Sequence, residues 1–410
     1  MSLESFLLFF LGLYPGAAVT SQSILDATMF LISFGWIYSM IKKKTHKNTL
    51  HKIGIEWAFL GYLGAIAIGF IVNASPEAPW AVMFLKFSWI LNLYILIFAF
   101  ENVTVNIEKW FKFLCVLILL ITIYPLATFK FDPDLINNAE ASRLYGFVNS
   151  PTYHAHGNAM IFVFLFSILF FTFKKLAAPW KILSSVTIIL LGASIYLTYT
   201  RGIWLSIFFS SIIMASLLLP KKKLLVLGLV SCVVIAGMYF GVGHFRDRVD
   251  HAIKPSANHE RVNLFKLNVQ MWQQYPLFGI GYGENMRRNR EYWDHPEWKM
   301  PPGYLTSHAH NQYLNVLSTT GLFGFVFFIS FCFYFLLTNF RLMRAAQKNK
   351  SSADFILLFS CLWLQIEFLI AELTDVSFEY AKIRAVYIFS WALVIAIRNR
   401  QKKSKLVKIP

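Results

Sequence analysis

The stretch "SHAHNQYLNVLSTTGLFGFVFFISFCFYFLL", residues 307–337, decides the fold class of this chain. A polar segment with two histidines leads into an apolar run long enough to cross a bilayer, which takes about 17 to 25 residues of helix. Similar runs recur along the 410 residues, of which 57% are hydrophobic and 14% are charged. A soluble domain of this size does not need so much apolar surface. The sequence therefore predicts an all-α, polytopic integral membrane protein.

The apolar runs number about twelve when they are separated at charge clusters, prolines and asparagines. They extend over residues 1–410 as a single transmembrane domain. The first run has no basic flank and no convincing cleavage site, so it is expected to be a retained helix. All four cysteines fall inside apolar runs, which argues against a disulfide framework. The predicted spans are 5–19, 24–41, 53–73, 80–100, 110–128, 155–173, 181–199, 202–219, 224–241, 312–337, 355–373 and 380–398.

Lysine and arginine gather in alternate loops and in the C-terminal tail, at residues 42–52, 174–181, 221–223, 341–350 and 398–408. Basic residues resist translocation, and all of these clusters lie on one side if both termini are cytoplasmic. Topology thus explains most of the net charge of +17. The charge therefore predicts a lipid bilayer as partner and gives no reason to expect a nucleic acid.

The longest segment between spans, residues 242–311, lies on the opposite side, between the ninth and tenth spans. It contains "HERVNLFKLNVQMWQQYPLFGIGYGENM", residues 259–286. Its apolar residues Val262, Phe265, Val269 and Trp272 recur at helical spacing, which predicts an amphipathic helix lying against the membrane domain. The three glycines of "GIGYG" predict a tight re-entrant turn. A nucleotide-binding loop would need a preceding strand and a βαβ unit, and the sequence predicts neither.

Three isolated residues on this side carry the candidate chemistry. If Thr306 or Ser307 caps the tenth span, His310 lies in its first turn, where the helix dipole favours a neutral imidazole that can act as a base. Arg201 in "YTRGIW" and Arg261 in "HERVN" mark two other helix ends on the same side. Two arginines beside a histidine suit a diphosphate and a general base. The alternative is that all three are interfacial anchors without a chemical role.

The sequence around these residues resembles the signature of the O-antigen ligase superfamily. His310 and Asn311 are followed after nine residues by Gly321 and Gly324, as in that signature. "TYTRGIWLS" is similar to the superfamily's Thr-x-x-Arg/Ser-Arg turn, and "YPLFGIGYGENM" is similar to its Pro-x-x-Gly-x-Gly segment. The order, the spacing and the common side of the motifs resemble the superfamily over roughly residues 140–385.

The resemblance implies a bacterial inner-membrane glycosyltransferase whose active site faces the periplasm. It implies an inverting reaction without metal or other cofactor, in which a glycan moves from undecaprenyl diphosphate to a sugar of the lipid A core. His310 would take the proton from the acceptor hydroxyl, and Arg201 and Arg261 would bind the diphosphate. General-base catalysis typically contributes a factor of about 10² to 10⁴.

Further candidates lie beside these residues or in other segments on the same side. "SRLYGFVNSPTYHAHGN", residues 142–158, resembles the superfamily's Arg-x-x-Gly-x-x-x-Asn-Pro region, although Ser150 separates the asparagine from the proline. Asp375, with Arg384, resembles a polar pair of the ligases, and Lys86 can add charge or snorkel. The secondary candidates are His308, Asn311, Arg143, His154, Lys86 and Asp375.

Several alternatives remain open from the sequence. An O-antigen polymerase or a protein O-oligosaccharyltransferase of the same superfamily can use the same base and diphosphate clamp; the tight histidine–glycine spacing favours a ligase. A transporter or flippase usually shows internal repeats and charges near the membrane midplane, and neither is evident. A metal site is the remaining alternative, at Asp132 and Asp134 or at the histidines of the two His-x-His pairs, residues 154–156 and 308–310.

Overall fold

The computed structural model describes residues 2–43, 52–73, 87–130, 143–148, 150–241, 243, 246, 249–250, 255–293 and 308–406. Within these residues every regular element is helical. Two short 3₁₀ turns, Phe173–Lys175 and Gln347–Asn349, extend the ends of two helices. The α-helices are α1 (Leu3–Thr20), α2 (Gln22–Lys43), α3 (Glu56–Asn73), α4 (Ser88–Glu101), α5 (Ile107–Thr128), α6 (Pro151–Thr172), α7 (Ala178–Leu197), α8 (Arg201–Leu218), α9 (Lys221–Gly241), α10 (Pro255–Gln274), α11 (Asn285–Trp293), α12 (Gln312–Ala346), α13 (Ala353–Ala371) and α14 (Ala381–Leu406).

A helix corresponds to each of the predicted membrane spans, and the all-α, polytopic prediction is confirmed. In the described part of the chain, nine helices are long and apolar enough to cross a membrane. α4 is apolar but shorter, with 14 described residues, and the first part of its predicted span lies outside the described residues. α9 and α14 are of membrane-spanning length, with 21 and 26 residues. α14 carries Lys382, Arg384 and Arg398 near its ends.

α14 forms the centre of the bundle. Its residues from Val386 to Ile397 are almost completely inaccessible. It packs against α1, α4, α6 and α13. A helix that is apolar on all sides reaches its lowest free energy when other helices surround it. Trp391 stacks on Phe335 of α12 with ring centroids 4.2 Å apart, which joins α14 to the helix that leads to His310.

α10 confirms the helix predicted in the long loop, although its most buried apolar residues are not the ones that defined the predicted pattern. Leu264, Leu267 and Met271 are buried, whereas Val262 is 45% exposed. The buried side also carries Asn268, whose Oδ1 accepts a hydrogen bond from Ser318 of α12 at 2.7 Å. This polar contact with α12 orients α10 about its own axis. The buried apolar stripe is therefore displaced by one residue from the stripe that periodicity predicts.

The glycine-rich turn inserts into a break in α12. Gly321 interrupts the helix with φ 65° and ψ −170°, a conformation that only glycine adopts readily. The carbonyls of Ser318 and Thr319 accept hydrogen bonds from the backbone N–H groups of Ile280 and Gly281, at 2.9 and 3.2 Å. Past the break, Leu322 N donates to Pro276 O at 2.8 Å. The turn thus satisfies backbone groups that the broken helix leaves free, as buried backbone requires.

The two ends of the bundle differ in charge. At one end, Arg398 of α14 donates to Ile53 O at 2.8 Å, and Lys403 pairs with Glu101 at 3.5 Å. α14 runs from the turn after α13 to this basic end. The residues of the candidate site therefore lie at the opposite end from these basic groups.

Candidate active site

His310 lies immediately before α12, at the point where the chain enters the bundle. The helix begins at Gln312 and its N-cap is Asn311, whose side chain accepts a hydrogen bond from Leu314 N at 3.0 Å. The prediction that places His310 in the first helical turn is therefore wrong, and Thr306 and Ser307 lie outside the described residues. Asparagine is among the strongest N-cap residues, so it caps the helix where it stands. His310 instead adopts φ 49°, a left-handed conformation.

The start of α12 is attached to the turn between α13 and α14. Asn311 Nδ2 donates to Leu373 O at 3.0 Å, and Gln312 N donates to Glu372 O at 2.9 Å. Tyr313 Oη donates to Leu369 O at 2.7 Å. Because the backbone itself makes some of these bonds, the positions of the histidines and of the turn are fixed relative to one another. The role of Asn311 in the structure is thus to cap α12 and to hold this turn.

Three histidines surround the carboxylate of Asp375 in this turn. His310 Nδ1 lies 3.8 Å from Asp375 Oδ1, and His156 Nε2 lies 3.8 Å from Asp375 Oδ2. The rings of His308 and His310 meet edge to face with centroids 4.5 Å apart. Asp375 is only 5% exposed, and His156 is 2% exposed. A buried carboxylate with imidazoles on two sides is the arrangement that orients and stabilises a histidine base.

The charge of Asp375 depends on these neighbours. Burial alone would raise its pKa, but the interaction with His310 and the proximity of His156 and His308 outweigh burial and hold the pKa of Asp375 well below its usual range. Glu372, three residues earlier, responds in the opposite way. Burial raises its pKa well above the usual value, although backbone N–H groups of Phe378 and Ser377 oppose the rise. Of the two acids, Asp375 therefore carries the negative charge of the site.

His308 is a neutral imidazole at neutral pH. Burial, followed by the nearby His310, lowers its pKa to about 4. Its Nδ1 accepts a hydrogen bond from His310 N at 3.3 Å, which fixes the backbone between the two histidines. Ala309 N, in the same segment, donates to Asn315 Oδ1 at 3.3 Å.

His308, His310 and Asp375 also form a group that can hold a metal ion, because each offers one ligand atom and these atoms lie within 4.8 Å of one another. Two imidazoles and one carboxylate are a common ligand set for zinc in catalytic sites. The earlier carboxylate candidates, Asp132 and Asp134, lie outside the described residues.

Arg201 lies at the first position of α8, beside the same turn. Thr374 Oγ1 would lie only 2.1 Å from a Cβ atom built at Gly202, so the start of α8 is packed directly on the residue before Asp375. Arg143 stabilises the segment just before α8. Its Nε donates to Thr198 O at 2.8 Å, and its Nη2 donates to Thr200 Oγ1 at 3.2 Å. The start of α8, with Arg201 as its first residue, therefore packs against the turn that carries Asp375.

His154 and His156 differ in role because residues two apart point about 200° away from each other on a helix. His154 Nε2 contacts Ser194 Oγ of α7 at 2.9 Å, so this predicted site residue joins two helices. His156 faces the turn instead, where its Nδ1 contacts Ser377 Oγ at 2.9 Å.

Three further sequence candidates remain. Arg261 is an exposed residue of α10. Lys86 and Asn149 lie outside the described residues. Glu372 was not predicted from the sequence; two acids three residues apart at the end of an apolar run are the signal that could have revealed it.

The fold and the site define a multi-pass, all-helical membrane protein with a histidine–aspartate cluster at one end of the bundle. Residues 186–329 match a family model described as O-Antigen ligase. This segment contains Arg201, Arg261, the glycine-rich turn, His310 and the break at Gly321, and it ends before Asp375. This part of the chain is accordingly similar to the O-antigen ligase family. A comparison with curated proteins found no match.

Proposed function

We propose that the protein is an O-antigen ligase, a glycosyltransferase that moves a glycan from undecaprenyl diphosphate to an acceptor sugar of the lipid A core at the periplasmic face of the bacterial inner membrane. The observation that carries this proposal is the position of His310 beside the buried Asp375, at 3.8 Å, with the start of α8, where Arg201 is the first residue, packed on the same turn. The match of residues 186–329 to the O-Antigen ligase model supports the reaction class.

In the proposed reaction, His310 takes the proton of an acceptor hydroxyl. The hydroxyl oxygen forms a bond to the anomeric carbon of the glycan while the bond from that carbon to the diphosphate oxygen breaks. The electron pair of the broken bond stays on undecaprenyl diphosphate, and attack from the opposite side inverts the anomeric configuration. Asp375 keeps His310 oriented and stabilises the imidazolium that forms.

Arg201 and Arg261 would bind the diphosphate and stabilise it as a leaving group, since guanidinium matches phosphate oxygens in pairs. The register of α10 and α12 supports the second assignment. Asn268 lies beside Ser318, and Pro276 lies beside Leu322, so the two helices run in the same direction. Two helical turns, about 7 residues, separate Asn268 from Arg261. Along the parallel helix α12, two turns back from Ser318 reach the segment just before α12, where His310 lies. Arg261 would therefore lie at the height of His310 along the helix axes.

We propose a mechanism without metal, in which the imidazole is the base. The ligand geometry of His308, His310 and Asp375 makes this point testable. Purified protein dialysed against a chelator should transfer glycan at an unchanged rate. Loss of transfer that added Zn²⁺ restores would instead assign these residues to a metal.

The related activities of the superfamily differ in the acceptor. A polymerase would join repeat units to one another, and a protein O-oligosaccharyltransferase would modify serine or threonine. A transporter is disfavoured by the contacts of the two acids nearest the membrane interior. Glu56 accepts hydrogen bonds from Gly54 N and Tyr94 Oη at the start of α3, and Glu367 accepts one from Ser206 Oγ at 2.7 Å. Both acids thus have partners within the fold.

The experiment that tests the proposal is complementation of a strain that lacks its own ligase. Wild type, His310→Ala and Arg201→Ala are compared at matched membrane expression, with Arg290→Ala, at an exposed position of α11, as a control. Wild type and Arg290→Ala should place polymer on lipid A. The two site variants should leave it on the carrier lipid, with a loss of about 10²-fold or more.

Each other result has a defined meaning. If wild type lengthens short glycans without transferring them to lipid A, the protein is a polymerase. If His310→Ala keeps full activity, the proposed base is wrong.

A further inference from the structure

A cavity of about 360 Å³ opens beside the histidines. Its walls come from the glycine-rich turn and α11 (Tyr282, Asn285), from α12 (Asn315, Thr319) and from the turn before α14 (Glu379, Tyr380). His308 forms one wall, and Val376, the neighbour of Asp375, forms another. The volume falls in the range of about 300 to 1,000 Å³ that is typical of small-molecule sites. The cavity thus adjoins the residues that the proposed reaction uses.

The side chains that line the cavity indicate the kind of ligand that it binds. Amide, hydroxyl and carboxylate groups line the cavity, and none of its described lining residues is lysine or arginine. A diphosphate would therefore find no counter-charge here. Amides and a carboxylate can accept and donate hydrogen bonds to several hydroxyl groups at once, which suits an uncharged sugar. The exposed ring of Tyr380, at 41%, adds an apolar surface on which a sugar ring can lie.

Asn285 is a second, independent indication of a ligand. It is 1% exposed, and its Oδ1 accepts no hydrogen bond within the described residues. Its Nδ2 donates to Asn268 Oδ1 at 2.8 Å and contacts Asn315 Oδ1 at 3.4 Å. A buried hydrogen-bond acceptor that receives no hydrogen bond lowers the stability of the fold by about 1 to 3 kcal/mol. A ligand hydroxyl would remove this cost.

We propose that this cavity binds the acceptor sugar, of roughly one or two pyranose rings, whose hydroxyl His310 activates. This assignment rests on the proposed transferase function. It separates two subsites: the uncharged acceptor lies in the cavity next to His308, and the anionic carrier lies on the Arg201 side of the Asp375 turn. Glu379 and Asn285 bind acceptor hydroxyls, and Tyr380 covers one face of the ring.

The test is steady-state kinetics of the purified full-length protein, with the concentrations of lipid A-core acceptor and of undecaprenyl-diphosphate glycan varied separately. Glu379→Gln keeps a hydrogen-bond acceptor for the hydroxyl of Tyr282 but removes the negative charge of the carboxylate. It should raise the KM for the acceptor by about 5- to 20-fold and leave the KM for the donor unchanged. Tyr380→Ser, at an exposed position, should act in the same direction. Glu291→Gln on α11 is the matched control, because Glu291 is 44% exposed and does not line the cavity.

A binding measurement separates this proposal from the proposed function. Delipidated core oligosaccharide is titrated into wild type, Glu379→Gln and Glu291→Gln by calorimetry, which needs no turnover. Weaker binding to Glu379→Gln alone supports the subsite even if transfer goes to another acceptor. Equal affinities in all three proteins, the absence of saturable binding, or a rise in the donor KM alone would overturn the assignment.

Discussion

At the scale of single residues, the site depends on one buried carboxylate. Asp375 lies 3.8 Å from His310 and 3.8 Å from His156, and it is held in the ionised form by them. Its Oδ1 also accepts a hydrogen bond from Val376 N at 2.8 Å, which fixes the orientation of the carboxylate. In the proposed reaction Asp375 is thus a positioning residue that acts through His310.

Asp375→Asn should therefore lower kcat by about 10²-fold or more, because the amide keeps the shape but cannot stabilise an imidazolium. The KM for the acceptor should change little, since Asp375 does not line the cavity. Kinetics at saturating donor measure both parameters, and Asp354→Asn at the start of α13 is the control. An unchanged kcat for Asp375→Asn would remove this residue from the mechanism.

His308 gives a prediction about pH and stability. Its pKa is lowered to about 4 in the folded protein, whereas an unfolded histidine titrates near pH 6.5. The unfolded chain then binds more protons between these values, so the contribution of neutral His308 to stability is complete above about pH 6.5 and is lost as the pH falls towards about 4.

In this pH range the free energy of unfolding should decrease less for His308→Gln than for wild type, by about 1 to 3 kcal/mol. Thermal unfolding of the purified protein between pH 7.5 and 4.5 measures this difference. His259→Gln, at an exposed histidine of α10, is the matched control. Identical slopes for wild type and His308→Gln would contradict the burial argument.

At the scale of elements, the long loop and α12 form one unit. The glycine-rich turn lies against the break in α12 so closely that a Cβ atom at Gly279 would be 2.4 Å from Thr319 C, and one at Gly321 would be 2.3 Å from Leu277 O. The Gly-x-Gly segment and the histidine–glycine motif are thus two sides of a single backbone contact. Their spacing in the sequence reflects this contact as well as the position of His310.

Gly321→Ala should therefore destabilise the protein by about 3 kcal/mol or more, because φ 65° with ψ −170° excludes side chains and backbone atoms block the space. The yield of monodisperse protein in size-exclusion chromatography and its thermal unfolding measure this loss. Gly64→Ala in α3 has open space at its Cβ and should change stability by less than about 1 kcal/mol. Equal behaviour of the two variants would show that the break in α12 is not needed.

At the scale of the whole molecule, the charges predict the orientation. Arg398 and Lys403 lie at one end of α14, and Asp375 precedes its other end. Since basic ends stay cytoplasmic, the histidine cluster should face the periplasm.

Single cysteines test this orientation in a Cys232→Ser background, because the other three cysteines are buried. A membrane-impermeant maleimide should label Arg290→Cys on α11 in cells with a permeabilised outer membrane. It should label Lys348→Cys, in the turn after α12, only after the inner membrane is opened. Labelling of Lys348→Cys from outside would reverse the topology and place the site in the cytoplasm.

The sequence by itself determined the membrane class, the helices at the predicted spans and the glycine-rich turn. These features depend on local quantities: the apolar content of a run, the charge of its flanks and the backbone freedom of glycine.

Only the tertiary structure decided which groups meet. His156 reaches the Asp375 turn through a contact between residues 221 positions apart in the chain, while His154 is directed to α7. The buried face of α10 and the inclusion of Glu372 were likewise set by contacts between helices. Such contacts depend on the rotation and register of packed helices, and a single helical period leaves both undetermined.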